Sequence, residues 1–508
     1  MPNVSIKVIV SNKGALINLY GLNNFNQVID PSLTTLIGTD QGRFIQTRIV
    51  YPDDAATMNT LNAPVVANPA DERQNKAAID GVYNALNPDY LDILGAIDII
   101  PMQSLINPAA ANDGEATVPS DLPYACAQAY STSVNDFIGP TRVIARIAGI
   151  TGDASPASLV ASINTACSLQ ARPAAKYQNP YFALSAAVWQ GSSRTSTTNI
   201  FGNANALQLS PPSGPNWTNP QMLSLTHFVN CHGGDHDPQW YGQNGGGFPV
   251  AESAQLVAGK TAHGGIAAAE CCYGGQLYAP NGGQAGLCNT YLMNGAAAFC
   301  GSTNIAYGPA NGQGNADLIT QYFLIDLLNG ASAGRAMLQA RQKLVQTTSP
   351  MNIYDLKTLA QFNVFGSSSN TPVQMAAHLA AKGITGTSDA EVAIAERKDR
   401  RRQLMVRGLE LLTSTGIAEH DPNHRLSEAL RNRLLALADE HGIPGAGIQS
   451  CPVVGGSNFL LAHSLTQASD TIHVVHGTKP EATFGKYMAL IVRERGGIVI
   501  SSELLLSK

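Results

Sequence analysis

IAAAECCYGG, running from Ile266 to Gly275, is the stretch on which the reading of this chain turns. Ile266, Ala267, Ala268 and Ala269 are apolar on both faces, as a strand must be when helices cover both sides of a parallel sheet. The run then meets Cys271, Cys272 and a pair of glycines. An earlier stretch, LTHFVNCHGGDHD (Leu225 to Asp237), repeats the design and places Cys231-His232-Gly233-Gly234 just past its hydrophobic strand. In parallel α/β sheets the loops at the carboxyl ends of strands form the ligand crevice. If these two strands are neighbours, a histidine and a cysteine face each other across it.

A thiol needs a base or a positive neighbour to act as a thiolate near neutral pH, and histidine is the natural partner. Backbone N–H groups beside the histidine and at the cysteine could donate to a developing oxyanion. Gly233 and Gly234 would let a substrate backbone approach closely. Other readings stay open at this point. A buried cysteine is commonly a small hydrophobe. Cys231, His232, His236, Cys271 and Cys272 are enough ligands for zinc, but there is no C-x-x-C pair and adjacent cysteines clamp one metal poorly. A redox dithiol fits less well, because adjacent cysteines close a strained ring.

The bulk properties narrow the class. A chain of 508 residues, 44% hydrophobic, can build several cores. With a net charge of −5, nothing global recruits nucleic acid or an anionic membrane. No run of about 18 apolar residues predicts a membrane-spanning helix. The start, MPNVSIKVIV, lacks the pattern of a secretory leader and reads as a strand over Ser5 to Val10, so a cytoplasmic location is expected. Eight scattered cysteines in such a compartment are expected to be free thiols.

Charge density divides the chain. From Thr371 onward 29 of 138 residues are charged, against 38 of 370 before it, so a separate module is expected after a linker at Phe365 to Val373. Strands are expected at Gln46–Tyr51, Asp89–Ile100, Thr141–Ile147, Tyr181–Trp189, Leu225–Cys231, Gly265–Glu270 and Ala296–Gly301, with helices between them. That alternation predicts α/β with a mainly parallel sheet. The closing module opens with two charged helical stretches and turns strand-like at TIHVVHG, KYMALIVRE and GIVISSELLL. Its basic run ERKDRRRQLMVR reads as the solvated face of a helix. His420, His424, His441, His463, His473 and His476 read as ordinary surface or core residues.

A hydrophobic strand ending in His-Gly, followed by one ending in small-Cys with glycine close behind, resembles the caspase-like (clan CD) cysteine peptidases. The gingipain family resembles the chain over the longest span. Its supporting blocks are Pro88–Pro101, Ser120–Ala125 with Asp136–Ile147, Asn294–Gly308 and Gln361–Val373, in that order around the His and Cys strands. The resemblance covers residues 85 to 370.

The resemblance implies a caspase/gingipain-like mainly parallel sheet flanked by helices, in two α/β subdomains (1–175 and 176–370), with a small C-terminal α+β module (371–508). It implies a cysteine endopeptidase working through a Cys-His dyad and a thioester. His232 matches the catalytic histidine and Cys272 the nucleophile. Gly233 and the Cys272 N–H match the oxyanion donors, and Cys271 falls where relatives carry a small residue. Gly301 to Tyr307, including Ser302, Thr303 and Tyr307, matches a wall of the pocket for the residue before the scissile bond. Two family carboxylates have no counterpart in Ser185–Ser193 or Ser193–Gly202. Asp235 or Asp237 is the remaining candidate to orient His232, and arginine specificity does not transfer. No cofactor is required, although a structural calcium is compatible with the resemblance. The expected partner is a protein or peptide substrate, with no nucleic acid or membrane. The expected setting is intracellular, regulated and of bacterial type, and the C-terminal module is expected to bind a regulator or a second copy. The alternative is a catalytically drifted interaction protein on the same fold.

Overall fold

The structure, a computed structural model, describes residues 4–309, 311–374, 389–443, 445–455, 470–479 and 482–508. His463, one of the histidines considered above, lies outside the described residues.

Ten strands form one sheet. Its order is Ile45–Val50, Ser5–Val10, Tyr90–Leu94, Ile144–Ile147, Phe362–Phe365, Ala298–Ser302, Ile266–Ala269, Thr226–Asn230, Phe182–Ala186 and Leu207–Ser210. Every pairing is parallel except that between Phe362–Phe365 and Ala298–Ser302. The fold class expected from the sequence, a mainly parallel sheet flanked by helices with a small C-terminal α+β module, is the one found. The central strands are buried along their whole length. Helices on both faces supply the apolar cover that such strands need.

The helices follow from local sequence. Asp71 caps Glu72–Leu86 by accepting from the Gln74 N–H, and Ala78, Ile79 and Val82, at helical spacing, are buried together with Asn75 and Lys76. The long apolar run after Asn315 is two helices, Asn315–Leu328 and Ala333–Thr348. One expected strand is much shorter than its pattern. Asp89–Ile100 is a strand only over Tyr90–Leu94, because the chain turns at Gly95 with φ +117°, where a Cβ would lie 2.6 Å from Ile99. On the flank away from the His and Cys strands, Lys7 is buried between Asp40 at 3.0 Å and Asp92 at 3.2 Å. The two carboxylates outweigh the effect of burial and hold its ammonium charged.

The C-terminal residues build a second, antiparallel sheet in the order Tyr307–Pro309, Ile498–Ser507, Tyr487–Arg495, Asp470–Thr478, Gly447–Gly455 and Gly416–Ala418. Tyr307–Pro309 comes from the middle of the chain, so this sheet is sewn directly to the segment that follows Ala298–Ser302. The basic run lies in the helix Asp389–Ser414. That helix crosses the main body closely enough that a Cβ on Gly139 would meet the Gly408 carbonyl at 2.4 Å. Among the described residues no helix is long and apolar enough to cross a membrane. All eight cysteines are free.

Candidate active site

The register of the sheet sets the two candidate residues at one level. The His strand Thr226–Asn230 and the Cys strand Ile266–Ala269 are parallel neighbours, with Val229 opposite Ala269. His232 and Cys272 each lie three residues beyond that last pair. Adjacent strands are about 4.8 Å apart, so both loops emerge side by side at the carboxyl edge. The approach is close: a Cβ built on Gly233 would sit 1.9 Å from the Cys272 carbonyl oxygen, so only glycine fits after the histidine.

The doubled cysteine splits across the sheet. Cys271 is fully buried with Val229, Cys231 and Trp240 on one face. Cys272 turns to the other, and its Sγ accepts from the Ala306 N–H at 3.2 Å. Directly after it Tyr273 adopts φ +55°, a left-handed conformation uncommon for a non-glycine residue. The Tyr273 N–H bonds the Asn304 carbonyl and its hydroxyl bonds Glu115 Oε1, contacts that hold the turn presenting the thiol.

His232 is fully buried and ringed by Trp189, Phe248 and Phe484, whose centroids lie 4.4, 5.3 and 5.3 Å away. Its Nε2 bonds Gln243 Oε1 at 2.8 Å. The Gln243 amide is not free to turn over, because its Nε2 donates to the Gly245 carbonyl at 3.0 Å. An oxygen facing the ring can only accept, so the proton is on His232 Nε2 and Nδ1 carries the lone pair. That Nδ1 is buried and has no hydrogen-bond partner. Gln243 is itself fixed, since its N–H bonds the Ser210 carbonyl on the edge strand at 2.9 Å.

Burial pushes the Cys272 thiol up to about 12 and pulls His232 down to about 4. Both groups are therefore neutral at neutral pH in this covered state.

The remaining sequence candidates fall elsewhere. Asp235 bonds His236 Nδ1 and Gln276, and Asp237 accepts from the Tyr241 hydroxyl, so neither touches His232. The residue on the ring is the neutral Gln243, which no carboxylate pattern could have flagged. Ser302 and Thr303 turn their hydroxyls onto the Asn304 and Pro119 carbonyls. The Tyr307 ring packs edge-on against Tyr354 at 4.5 Å, its hydroxyl bonds Asp113 Oδ2 at 3.3 Å, and its backbone pairs with Ser507. Among the described residues no three His, Cys, Asp or Glu side chains are grouped to hold a metal.

Two cavities flank the site. One of about 550 Å³ adjoins His232, between Trp189, Phe248 and Phe484. One of about 220 Å³ adjoins Cys272, between Gly233, Ile305 and Tyr487. Two fully buried carboxylates, Glu270 two residues before Cys272 and Asp317 in the first turn of the helix Asn315–Leu328, are singled out by no sequence motif.

No protein-family profile matches the chain, and no curated protein matches it. Among solved structures it is similar to the crystal structure of the Arg-specific cysteine proteinase gingipain R (RGPB), at 11% identity over 99% of this chain and 97% of that one, with a TM-score of 0.47. It is similar also to a structure described only as a protease, at 12% identity over 100% of this chain and 98% of that one, with a TM-score of 0.44. Overlaps this loose assign no role to any residue here.

Proposed function

We propose that the chain is a cysteine endopeptidase in which Cys272 is the nucleophile and His232 the general base. The observation that carries this reading is the unpartnered, buried Nδ1 of His232, whose tautomer Gln243 fixes, beside a thiol set at the same level of the neighbouring strand. In the reaction the Cys272 proton passes to His232 Nδ1 as Sγ bonds the substrate carbonyl carbon. The tetrahedral oxyanion accepts from the N–H groups of Gly233 and Cys272. His232 then gives the proton to the leaving amine as the C–N bond breaks. Water, deprotonated by the same nitrogen, releases the acid from the thioester. A buried ring flanked by aromatic groups cannot turn freely, so a neutral amide suffices to aim it.

Cys272→Ala is expected to abolish peptide hydrolysis and labelling of a reactive thiol, while Cys271→Ala retains much of both, because its sulfur faces the opposite core. His232→Ala should keep the fold and slow acylation by about 10² to 10⁴, the usual loss for a positioned base. Loss on Cys271→Ala with retention on Cys272→Ala would reverse the assignment. A second reading, a non-catalytic interaction protein, is favoured by one observation: the hydrogen-bond partner of His232 is an amide and not a carboxylate. It predicts that no active-site-directed acylating reagent labels Cys272 in any variant.

A further inference from the structure

The cleft beside Cys272 is filled by the chain's own last strand. Leu505, Leu506 and Ser507 pair antiparallel with Pro309, Gly308 and Tyr307, the edge that leads away from the nucleophile. The Lys508 N–H continues the ladder to the Ala306 carbonyl at 3.0 Å, and the N–H of the same Ala306 bonds the Cys272 sulfur. An extended segment laid on an exposed edge in this way is how peptide clefts take their ligands: main-chain bonds align it and pockets read its side chains.

The side chain next to the thiol is read by such a pocket. Lys508 is 2% exposed, and its Nζ lies 2.5 Å from Glu270 Oε2 and 2.5 Å from Asp317 Oδ1. Its ammonium is also 5.5 Å from the centre of the Trp189 ring. Gly308 makes room for the stem, since a Cβ there would meet Lys508 Cε. Glu270 and Asp317 are each fixed by a hydroxyl, from Thr320 at 3.0 Å and Ser192 at 2.8 Å. Two buried carboxylates side by side are costly without a cation between them, so the pocket is built for one. Above the histidine, Phe484 of the 482–487 loop lies nearly parallel to the His232 ring, 21° between the planes.

We propose that Leu505–Lys508 and the 482–487 loop are a built-in occupant of the cleft, and that Glu270 and Asp317 form the pocket for a lysine preceding the bond to be cut, which a substrate enters by displacing Lys508. This rests on the peptidase reading of Cys272 and His232. It accounts for why both groups are shut off from water and neutral. The C-terminal module then holds the enzyme silent until a partner or a substrate pulls the strand away.

The test uses the full chain as wild type, Lys508→Ala, Lys508→Glu and Phe484→Ala, with melting curves to show that each is folded. Two quantities are read: the rate of Cys272 alkylation by iodoacetamide, located by mass spectrometry, and hydrolysis of peptide coumarin amides ending in lysine, arginine or alanine. A tethered segment competes at roughly millimolar effective concentration, so the variants should alkylate at least about tenfold faster than wild type. The free peptide acetyl-SELLLSK should slow Lys508→Ala again, and the lysyl amide should be cut in preference to the other two. Equal alkylation in wild type and all variants overturns the occupant, whatever is hydrolysed. Faster alkylation with no amide cut upholds the occupant and overturns the peptidase reading instead. Faster alkylation with arginyl or alanyl amide cut as well as lysyl overturns the lysine pocket.

Discussion

At the residue scale the proposed chemistry turns on a histidine held by an amide. A carboxylate on an imidazole raises its basicity by favouring the cation, whereas the Gln243 oxygen orients without adding charge. Two substitutions separate these roles. Gln243→Ala should lower kcat by about 10- to 100-fold through loss of aim, the range found when a hydrogen-bond partner that orients a metal-bound histidine is removed. Gln243→Glu should restore aim and add a charge. The imidazolium is then favoured, the His232 pKa rises, and the acid limb of the pH–rate profile moves up by about 1 to 3 units. Both are best measured in the Lys508→Ala chain. A profile unchanged by Gln243→Glu would mean that this contact does not set the protonation of His232.

At the element scale the His strand carries a second buried imidazole, and this one is structural. His227, 2% exposed, bonds the Tyr291 hydroxyl at 2.9 Å and the Ser224 carbonyl at 3.1 Å. Burial pulls it from 6.5 to about 4. Below pH 6.5 the unfolded chain therefore takes a proton that the folded strand refuses, until the pH reaches about 4. Its contribution is fully present above 6.5 and falls by about 3 kcal/mol across that window. In urea titrations at pH 7 and pH 4, wild type should lose about 3 kcal/mol more than His227→Gln. An equal loss in both would show that His227 is protonated in the fold. The elements are legible where the pattern is local. Phe182–Ala186, Thr226–Asn230, Ile266–Ala269 and Ala298–Ser302 announce themselves as apolar on both faces. Leu207–Ser210 does not, because an edge strand of four residues with alternating polarity looks like loop. His232 and Cys272 are readable as strand-end residues. Gln243 is not, since an amide in a glycine-rich loop carries no chemical signature. Glu270 stands in plain view beside the cysteines, but its meaning comes from Asp317 and Lys508, 47 and 238 positions along.

At the scale of the whole molecule the C-terminal sheet is more than an appended module. It takes Tyr307–Pro309 as its edge strand, and through that one pairing the last strand and the 482–487 loop reach both members of the proposed catalytic pair. The charge step at Thr371 is visible in the sequence, but not the return of the last strand to the crevice, because the pairing joins residues about two hundred positions apart. Everything proposed here depends on Cys272, served by His232, being the reacting sulfur. A peptidyl acyloxymethyl ketone ending in lysine, added to the Lys508→Ala chain, probes this, with the modified residue identified by tandem mass spectrometry. The expected result is one adduct, on Cys272, that disappears with His232→Ala. An adduct on Cys271, or one on Cys272 that forms as fast without His232, would contradict it.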